Sequence, residues 1–141
     1  MMSKKLLRTM LIMIVVIVLA GAGAVYYFLQ KNGSESKEPS IDDVVKTSVD
    51  ISDLTTNLAT SNYIKISFKI QTDSKAAKDE LTKREFQVRN IMIEELSDTK
   101  EEDIQGKTGK VKLEETLKNK INQIMQDGKV VQVYITDSLL Q

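Results

Sequence analysis

The side chains that could carry covalent chemistry in this chain are serines and lysines, because its 141 residues include no His and no Cys. Without those two residue types the chain lacks thiol chemistry, disulfides, the usual zinc ligands, the Ser-His-Asp arrangement and the commonest general base at neutral pH. The composition therefore predicts a protein that is not an enzyme and that holds no metal or other cofactor.

A Ser-Lys pair is the remaining catalytic alternative, since a lysine can activate a serine without histidine. Ser61 and Ser67 lie close in sequence to several lysines. Ser67, however, falls on the open face of a predicted strand rather than in a pocket. The adjacent carboxylates of Glu94 and Glu95 lie on a predicted helix and point apart. An envelope hydrolase of the Ser-Lys type is therefore the least favoured function.

An uninterrupted apolar run from Met10 to Leu29 dominates the first part of the chain. About 20 apolar residues in helical conformation cross a bilayer core, and this run just meets that length. We expect a transmembrane helix over 10–29, preceded by a short N-terminus at 1–9. The polar stretch 30–40 reads as a linker, and 41–141 as the domain that it carries.

The charges that flank the apolar run predict its orientation. Lys4, Lys5 and Arg8 precede the run, whereas the lysines that follow it are interleaved with glutamates. Because Lys and Arg near a span favour the cytoplasmic side, we expect the N-terminus inside the cell and the domain outside it. The short linker keeps that domain within a few tens of Å of the membrane surface.

Small residues in the apolar run allow two further interpretations. Ala20-Gly21-Ala22 and Ala22-Gly23-Ala24 each fit a signal-peptide cleavage site, although the run continues to Leu29 and so favours an anchor. Either way the domain is exported. Small residues at four-residue spacing also let two membrane helices approach closely. Helix association is therefore a hypothesis for Ala20, Gly21, Gly23 and Ala24, although alanine and glycine are common in such helices.

About a hundred residues remain after the anchor and linker, enough for one small domain with one core. The formal net charge of the chain is zero, and the domain part is slightly acidic. No basic face indicates nucleic acid as a partner.

Two stretches of the domain have strong strand patterns. Tyr63 to Gln71 alternates strictly, and it predicts a half-buried strand that forms a hairpin with the segment 54–59. Val130 to Leu140 is rich in β-branched residues and predicts a second strand. Residues 41–53 show no clear period, and the pattern leaves them open between a short helix and extended chain.

Helical spacing fills the part between those strands. One long helix is expected from Asp73 or Ser74 to about Ser97, with a stripe of apolar residues turned inward: Ala77, Leu81, Val88, Ile91, Met92 and Leu96. A short turn at 101–105 follows, with a capping box between Thr99 and Glu102. A second long helix runs from about 108 to 125. The sequence predicts an α+β fold, a small sheet with two longer helices packed on one face.

The first long helix is also apolar on its opposite side. Phe86 and Ile93 lie about 180° from the inward stripe and two turns apart. The sheet and the second helix could cover both sides, which would make the two residues part of the core. Alternatively they form a contact surface, together with Arg89, on which a second copy of the chain docks.

Taken in order, these segments resemble the FliL family of flagellar basal-body-associated proteins. The resemblance covers essentially the whole chain, and it departs from the family pattern at Phe86, where proline is frequent, and at Ser138, where an aromatic is usual. It rests on a basic N-terminus, a single span, Asn57-Leu58-Ala59, the alternating strand from Tyr63, Arg84-Glu85-Phe86-Gln87-Val88-Arg89-Asn90, Leu96-Ser97, and Val133-Tyr134-Ile135-Thr136 up to Gln141.

The resemblance implies a single-pass protein of the bacterial cytoplasmic (inner) membrane with a stomatin/prohibitin-like exported domain. It further implies a structural or regulatory component of the flagellar motor. Such a component oligomerises around the stator, with a ring as one form of the oligomer, and supports the assembly or activity of the stator in swimming and swarming. Its partners would be the membrane, copies of itself, and stator and basal-body proteins. The alternative is a generic single-pass envelope accessory factor for secretion or another surface assembly.

Overall fold

The computed structural model describes residues 3–32 and 38–141. The chain divides into two units, one up to Pro39 and one from Ser40 to Gln141, and each is considered by itself. Of the expected linker 30–40, residues 33–37 lie outside the described residues.

Helix α1 (Lys4–Asn32) contains the apolar run and extends beyond it at both ends. Among the described residues it is the one helix long and apolar enough to cross a membrane, a test that a signal sequence would also pass. Its large apolar side chains are exposed from Leu6 to Leu29, as a helix surrounded by lipid requires. The predicted orientation, and the choice between anchor and cleaved signal, stay predictions.

Three antiparallel strands form the sheet of the second unit, in the order β1-β2-β3. The strands are β1 (Ser48–Asn57), β2 (Tyr63–Thr72) and β3 (Val130–Leu140). The central strand β2 shows the expected alternation, since Ile64, Ile66, Phe68 and Ile70 are fully buried while Tyr63 and Lys65 are exposed. The predicted hairpin and final strand are confirmed.

The segment without a clear period contains a short helix and the first half of β1. Helix α2 (Ile41–Lys46) begins at Ser40, whose side chain accepts a hydrogen bond from the Asp43 amide. A bulge between Ile51 and Leu54 then shifts the register of β1 against β2. Because the bulge moves the buried face by one residue, the alternation in the sequence is interrupted there.

The prediction of one long helix up to about Ser97 is wrong in one respect, because this segment forms two helices. Helix α3 (Lys75–Lys83) starts from a Ser74 cap, and α4 (Glu85–Ser97) follows a kink at Arg84, where φ is −90° and ψ is 11°. Arg84 is a good helix former, so the local sequence contains no signal for the kink. The kink is instead held by contacts of Glu80, four residues earlier, with distant parts of the chain, which are described below.

The capping box predicted at Thr99 and Glu102 is absent. Helix α5 (Glu101–Ile104) starts at Lys100 without a side-chain cap. The Thr99 hydroxyl instead donates back to the Glu95 carbonyl at 2.6 Å, and the Glu101 amide donates to Thr60 Oγ1 at 3.1 Å. The Thr60 hydroxyl thus joins the β1–β2 turn to the start of α5, while the Thr99 hydroxyl stays bonded to the last turn of α4.

Helix α6 (Gly106–Asn122) is the second predicted long helix, and it ends three residues earlier than expected. It packs with α3 and α4 on one face of the sheet, which confirms the α+β architecture. The opposite face carries Lys65 and Lys69 in ion pairs with Asp53 and Asp50. The largest side chains fully buried between sheet and helices are Phe68, Ile51, Ile64, Ile66, Ile70, Leu81, Met92, Leu96, Leu117, Ile121, Val88 and Val133.

Candidate assembly surface

The outward side of α4 carries the two apolar residues that the sequence singled out. Phe86 is 72% exposed and Ile93 is 38% exposed, whereas Val88 and Met92 on the inward side are fully buried. Neither the sheet nor α6 covers Phe86 in the single chain. Of the two interpretations of the sequence, burial of Phe86 in the core of its own domain is therefore excluded.

Phe86 borders an apolar depression between α4 and the end of α6. The depression is lined by Phe86, Gln87, Asn90, Ile91 and Ile124, and most of its lining is carbon. Ile124 falls within the second long helix that the sequence predicted from about 108 to 125. Because α6 ends at residue 122, Ile124 is only half-buried and completes this surface instead.

Arg89 faces away from this depression, towards the edge of the sheet. Its Nε donates to Glu85 Oε1 at 3.1 Å, and its Nη2 lies 3.5 Å from the Ser52 carbonyl oxygen. The side chain therefore links α4 to the bulge of β1. Arg89, which the sequence placed together with Phe86, is therefore engaged with Glu85 and Ser52 and does not line the depression.

Ile93 lies at the opposite end of α4 from Phe86, next to an ion pair. Lys120 of α6 donates to Glu95, and this hydrogen bond, with the negative charge of Glu95, raises the pKa of the Lys120 ammonium above its ordinary value. Ile93 lines a shallow depression with these two residues. Its surroundings are thus charged, in contrast to those of Phe86.

A buried carboxylate six residues before Phe86, Glu80, holds the kink that leads into α4. Glu80 accepts hydrogen bonds from the Asp127 amide at 2.6 Å and from the Gln126 amide at 2.8 Å, and its Oε1 lies 2.8 Å from Arg84 Nε. The Asp127 amide, and then the hydrogen bond and charge of Arg84, lower the pKa of Glu80 against the opposing effect of burial. One carboxylate thereby ties the kink to the segment that carries Ile124.

The small residues of α1 lie on an open helix surface. A Cβ atom added to Gly21 or Gly23 would meet nothing within 4 Å. Ala20 and Ala24 are exposed on the same helix. These four positions thus lie at the exposed surface of α1, and their role in helix association stays a prediction.

The Ser-Lys arrangement considered from the sequence is engaged in structural contacts. Ser67 Oγ accepts a hydrogen bond from the Asp53 amide at 3.0 Å, and Lys65 Nζ lies 3.5 Å from Asp53 Oδ1. Both side chains lie on the open face of the sheet. Within residues 3–32 and 38–141, no three acidic, His or Cys side chains are grouped so that they could hold a metal ion.

Comparison with known proteins agrees with the resemblance noted in the sequence. The model of the family described as flagellar basal body-associated protein FliL matches residues 48–141. A curated relative from Bacillus subtilis (strain 168), named flagellar protein FliL, is 46% identical over 121 residues, which cover 84% of this chain and 86% of the relative. The match includes the whole sheet and all helices from α3 to α6. The chain therefore belongs to the FliL family of flagellar basal body-associated proteins.

Proposed function

We propose that this chain is a membrane-anchored component of the bacterial flagellar motor whose copies assemble around the stator and support its assembly or activity. In this proposal α1 lies in the cytoplasmic membrane and residues 41–141 lie outside it. Membership of the FliL family carries the proposal, because that family consists of flagellar accessory proteins and not of enzymes.

The anchoring part of the proposal is supported by α1 and its flanking charges. The helix is apolar over a length that suits a bilayer core. Lys4, Lys5 and Arg8 favour retention of its N-terminal end in the cytoplasm. A domain held near the outer face of the cytoplasmic membrane is in reach of other parts of the motor that are bound to the same membrane.

The assembly part is supported by the surface around Phe86. A phenyl side chain gains about 1.5–3 kcal/mol when it is transferred from water into an apolar contact. Phe86 is largely exposed beside Ile91 and Ile124, so the single chain leaves this free energy unused. Confinement of many copies in one membrane raises their effective concentration, so a contact of this size contributes more to association there than between free copies.

Complementation of a deletion strain tests the proposal. The strain should recover swimming and swarming with the full chain, but not with a version in which α1 is replaced by a cleavable signal peptide. Phe86→Asp should also fail, because a carboxylate buried in an apolar contact is strongly unfavourable. Val111→Asp is the matched control. Val111 is 47% exposed on α6 and does not line the depression at Phe86.

Retention of the stator at the motor is the second readout in the same strains. Phe86→Asp should reduce it while the protein stays folded and in the membrane. Full motility and normal stator retention with both the unanchored chain and Phe86→Asp would contradict the proposal. Equal losses of motility and stator retention from Phe86→Asp and Val111→Asp would show that the surface around Phe86 has no special role.

A further inference from the structure

The two edges of the sheet differ in how their backbone groups are satisfied. On β3, side chains take the place of a neighbouring strand. Asn122 forms two hydrogen bonds with Val130, accepting from its amide at 2.7 Å and donating to its carbonyl at 3.0 Å. Glu114 Oε2 accepts from the Ile135 amide at 3.1 Å. Helix α6 therefore obstructs the first half of the β3 edge, at Val130 and Ile135, against another strand.

The opposite edge is formed by β1, and the register shows which of its backbone groups face outward. Tyr63 and Gln141 exchange both backbone hydrogen bonds, at 3.0 and 2.8 Å, so the polar groups of Tyr63 face β3. In an antiparallel sheet successive residues alternate, and those of Ile64 must face β1. Its partner Thr56 therefore turns its amide and carbonyl towards β2.

Thr55 and Asn57, on either side of Thr56, consequently turn their amides and carbonyls away from the sheet. Both residues are exposed. Over the described residues 38–141, no side chain forms a hydrogen bond with these four groups in the way that α6 does for β3. The edge at Thr55 and Asn57 is therefore open to another strand.

The sequence of β1 also lacks the usual protection of an edge strand. Natural edges carry Lys or Pro, which disfavour pairing with another chain. From 47 to 62 the chain contains no Lys, Arg or Pro, and its threonines at 55 and 56 have high strand propensity. The bulge and the aspartates of β1 lie before Leu54, so the segment 54–57 is the part of this edge that is unprotected and suited to pairing.

We propose that the β1 edge pairs with the β1 edge of a second copy, antiparallel and about a two-fold axis at Thr56. Thr55 then exchanges backbone hydrogen bonds with the second copy's Asn57, and Asn57 with the second copy's Thr55. No charged residue lies between 54 and 58, so no like charges face each other across the axis. The two three-stranded sheets become one sheet of six strands.

The partial obstruction of the β3 edge favours this choice of occupant. If both edges were open, a head-to-tail contact could extend the sheet without limit. Because α6 side chains already bond edge groups of β3 at Val130 and Ile135, a contact that uses β1 alone is the less obstructed one; it is self-complementary and ends with two copies. The inference rests on self-association as proposed above, but it uses a surface separate from that around Phe86.

Single cysteines provide the test, because the natural chain has none. Thr56→Cys in the full chain, reconstituted in vesicles, should give dimers on mild oxidation, since opposed residues at such a pair have Cβ atoms only about 4.5–5.5 Å apart. Thr108→Cys, exposed at the start of α6, measures the background from random collisions. Crosslinking of Thr56→Cys no greater than this background would overturn the inference.

Thr55→Pro, added to Thr56→Cys, tests the hydrogen bonds themselves. Proline is tolerated on an edge whose N–H faces outward, so β1 can still pair with β2. Dimer yield should fall by about tenfold, as expected for the loss of one or two net hydrogen bonds per pair. If circular dichroism shows that Thr55→Pro is not folded, Thr55→Lys is used in its place. An unchanged dimer yield in a folded variant at Thr55 would contradict the inference.

The Thr56→Cys chain also distinguishes a failure of this inference from a failure of the proposed function. Phe86→Asp should leave the Thr56 crosslink unchanged, because the two surfaces are distinct. Loss of motility with an intact crosslink would implicate Phe86 alone. An intact motility phenotype with Thr55→Pro and no crosslink would show that the β1 contact exists but that swimming does not need it.

Discussion

Ala77 of α3 packs so closely against Gly128 that a Cβ atom added to the glycine would lie 2.6 Å from the Ala77 Cβ. The same added atom would lie 2.6 Å from Asp73 Oδ1. Gly128 also has φ +146°, a conformation that residues with a side chain rarely adopt. The turn before β3 can therefore approach α3 only because this residue has no side chain.

Gly128→Ala should destabilise the domain through both the close contact and the backbone strain. We expect a loss of about 1–3 kcal/mol in the free energy of unfolding. Gly106→Ala is the matched control, since Gly106 has φ +75° but an added Cβ would meet nothing within 4 Å. Urea unfolding followed by circular dichroism compares them. An equal or smaller loss at Gly128 would contradict the close packing.

The Glu80 carboxylate should make stability depend on pH at the acidic end. Because its pKa is lower in the folded chain than its ordinary value of 4.5, its contribution is present above that value and is lost as the pH falls through the folded pKa. Glu80→Gln should lower Tm at neutral pH, and the difference from wild type should shrink on acidification. A difference that does not change with pH would contradict this role.

Core and surface positions of α4 should respond differently to truncation. Met92 is fully buried, so Met92→Ala should cost about 2–5 kcal/mol of stability by leaving a cavity. Phe86→Ala should change stability by no more than about 0.5 kcal/mol, because its side chain is mostly in water. Urea unfolding measures both. A large loss of stability for Phe86→Ala would mean that Phe86 supports the fold rather than assembly.

Contacts between α1 helices would involve one face of the helix. Single cysteines at Ala20 and Ala24 should form crosslinked dimers in membranes, since these small residues lie one above the other. Val18 lies about 200° around the helix from Ala20 and is the matched control. Equal crosslinking at Ala20 and Val18 would indicate that the helices do not associate through the small residues.

The sequence predicted those elements whose pattern is local. The alternation from Tyr63 identified β2 because one face of that strand is buried throughout. The β1 strand escaped prediction before residue 54 because its bulge moves the buried set from Val49 and Ile51 to Leu54. A change of register in the middle of a strand removes the period on which a strand prediction depends.

The remaining differences come from contacts between distant segments. The kink at Arg84 depends on Glu80, which is held by amides more than forty residues away in the sequence. The surface at Phe86 was one of two alternatives that its position opposite the inward stripe left open. The contribution of Ile124 was not predicted, because the end of α6 at Asn122 could not be located from its regular apolar spacing.

The central claim is that this FliL-family chain works at the flagellar motor from an anchor in the membrane. Fluorescence imaging of the chain, tagged at the N-terminus that we place in the cytoplasm, tests it directly in cells whose motors are marked by stained flagella. We predict membrane foci that coincide with motors and that disperse when the stator genes are deleted. A uniform membrane signal that is indifferent to motors, or a tag released from the domain by cleavage, would contradict the account.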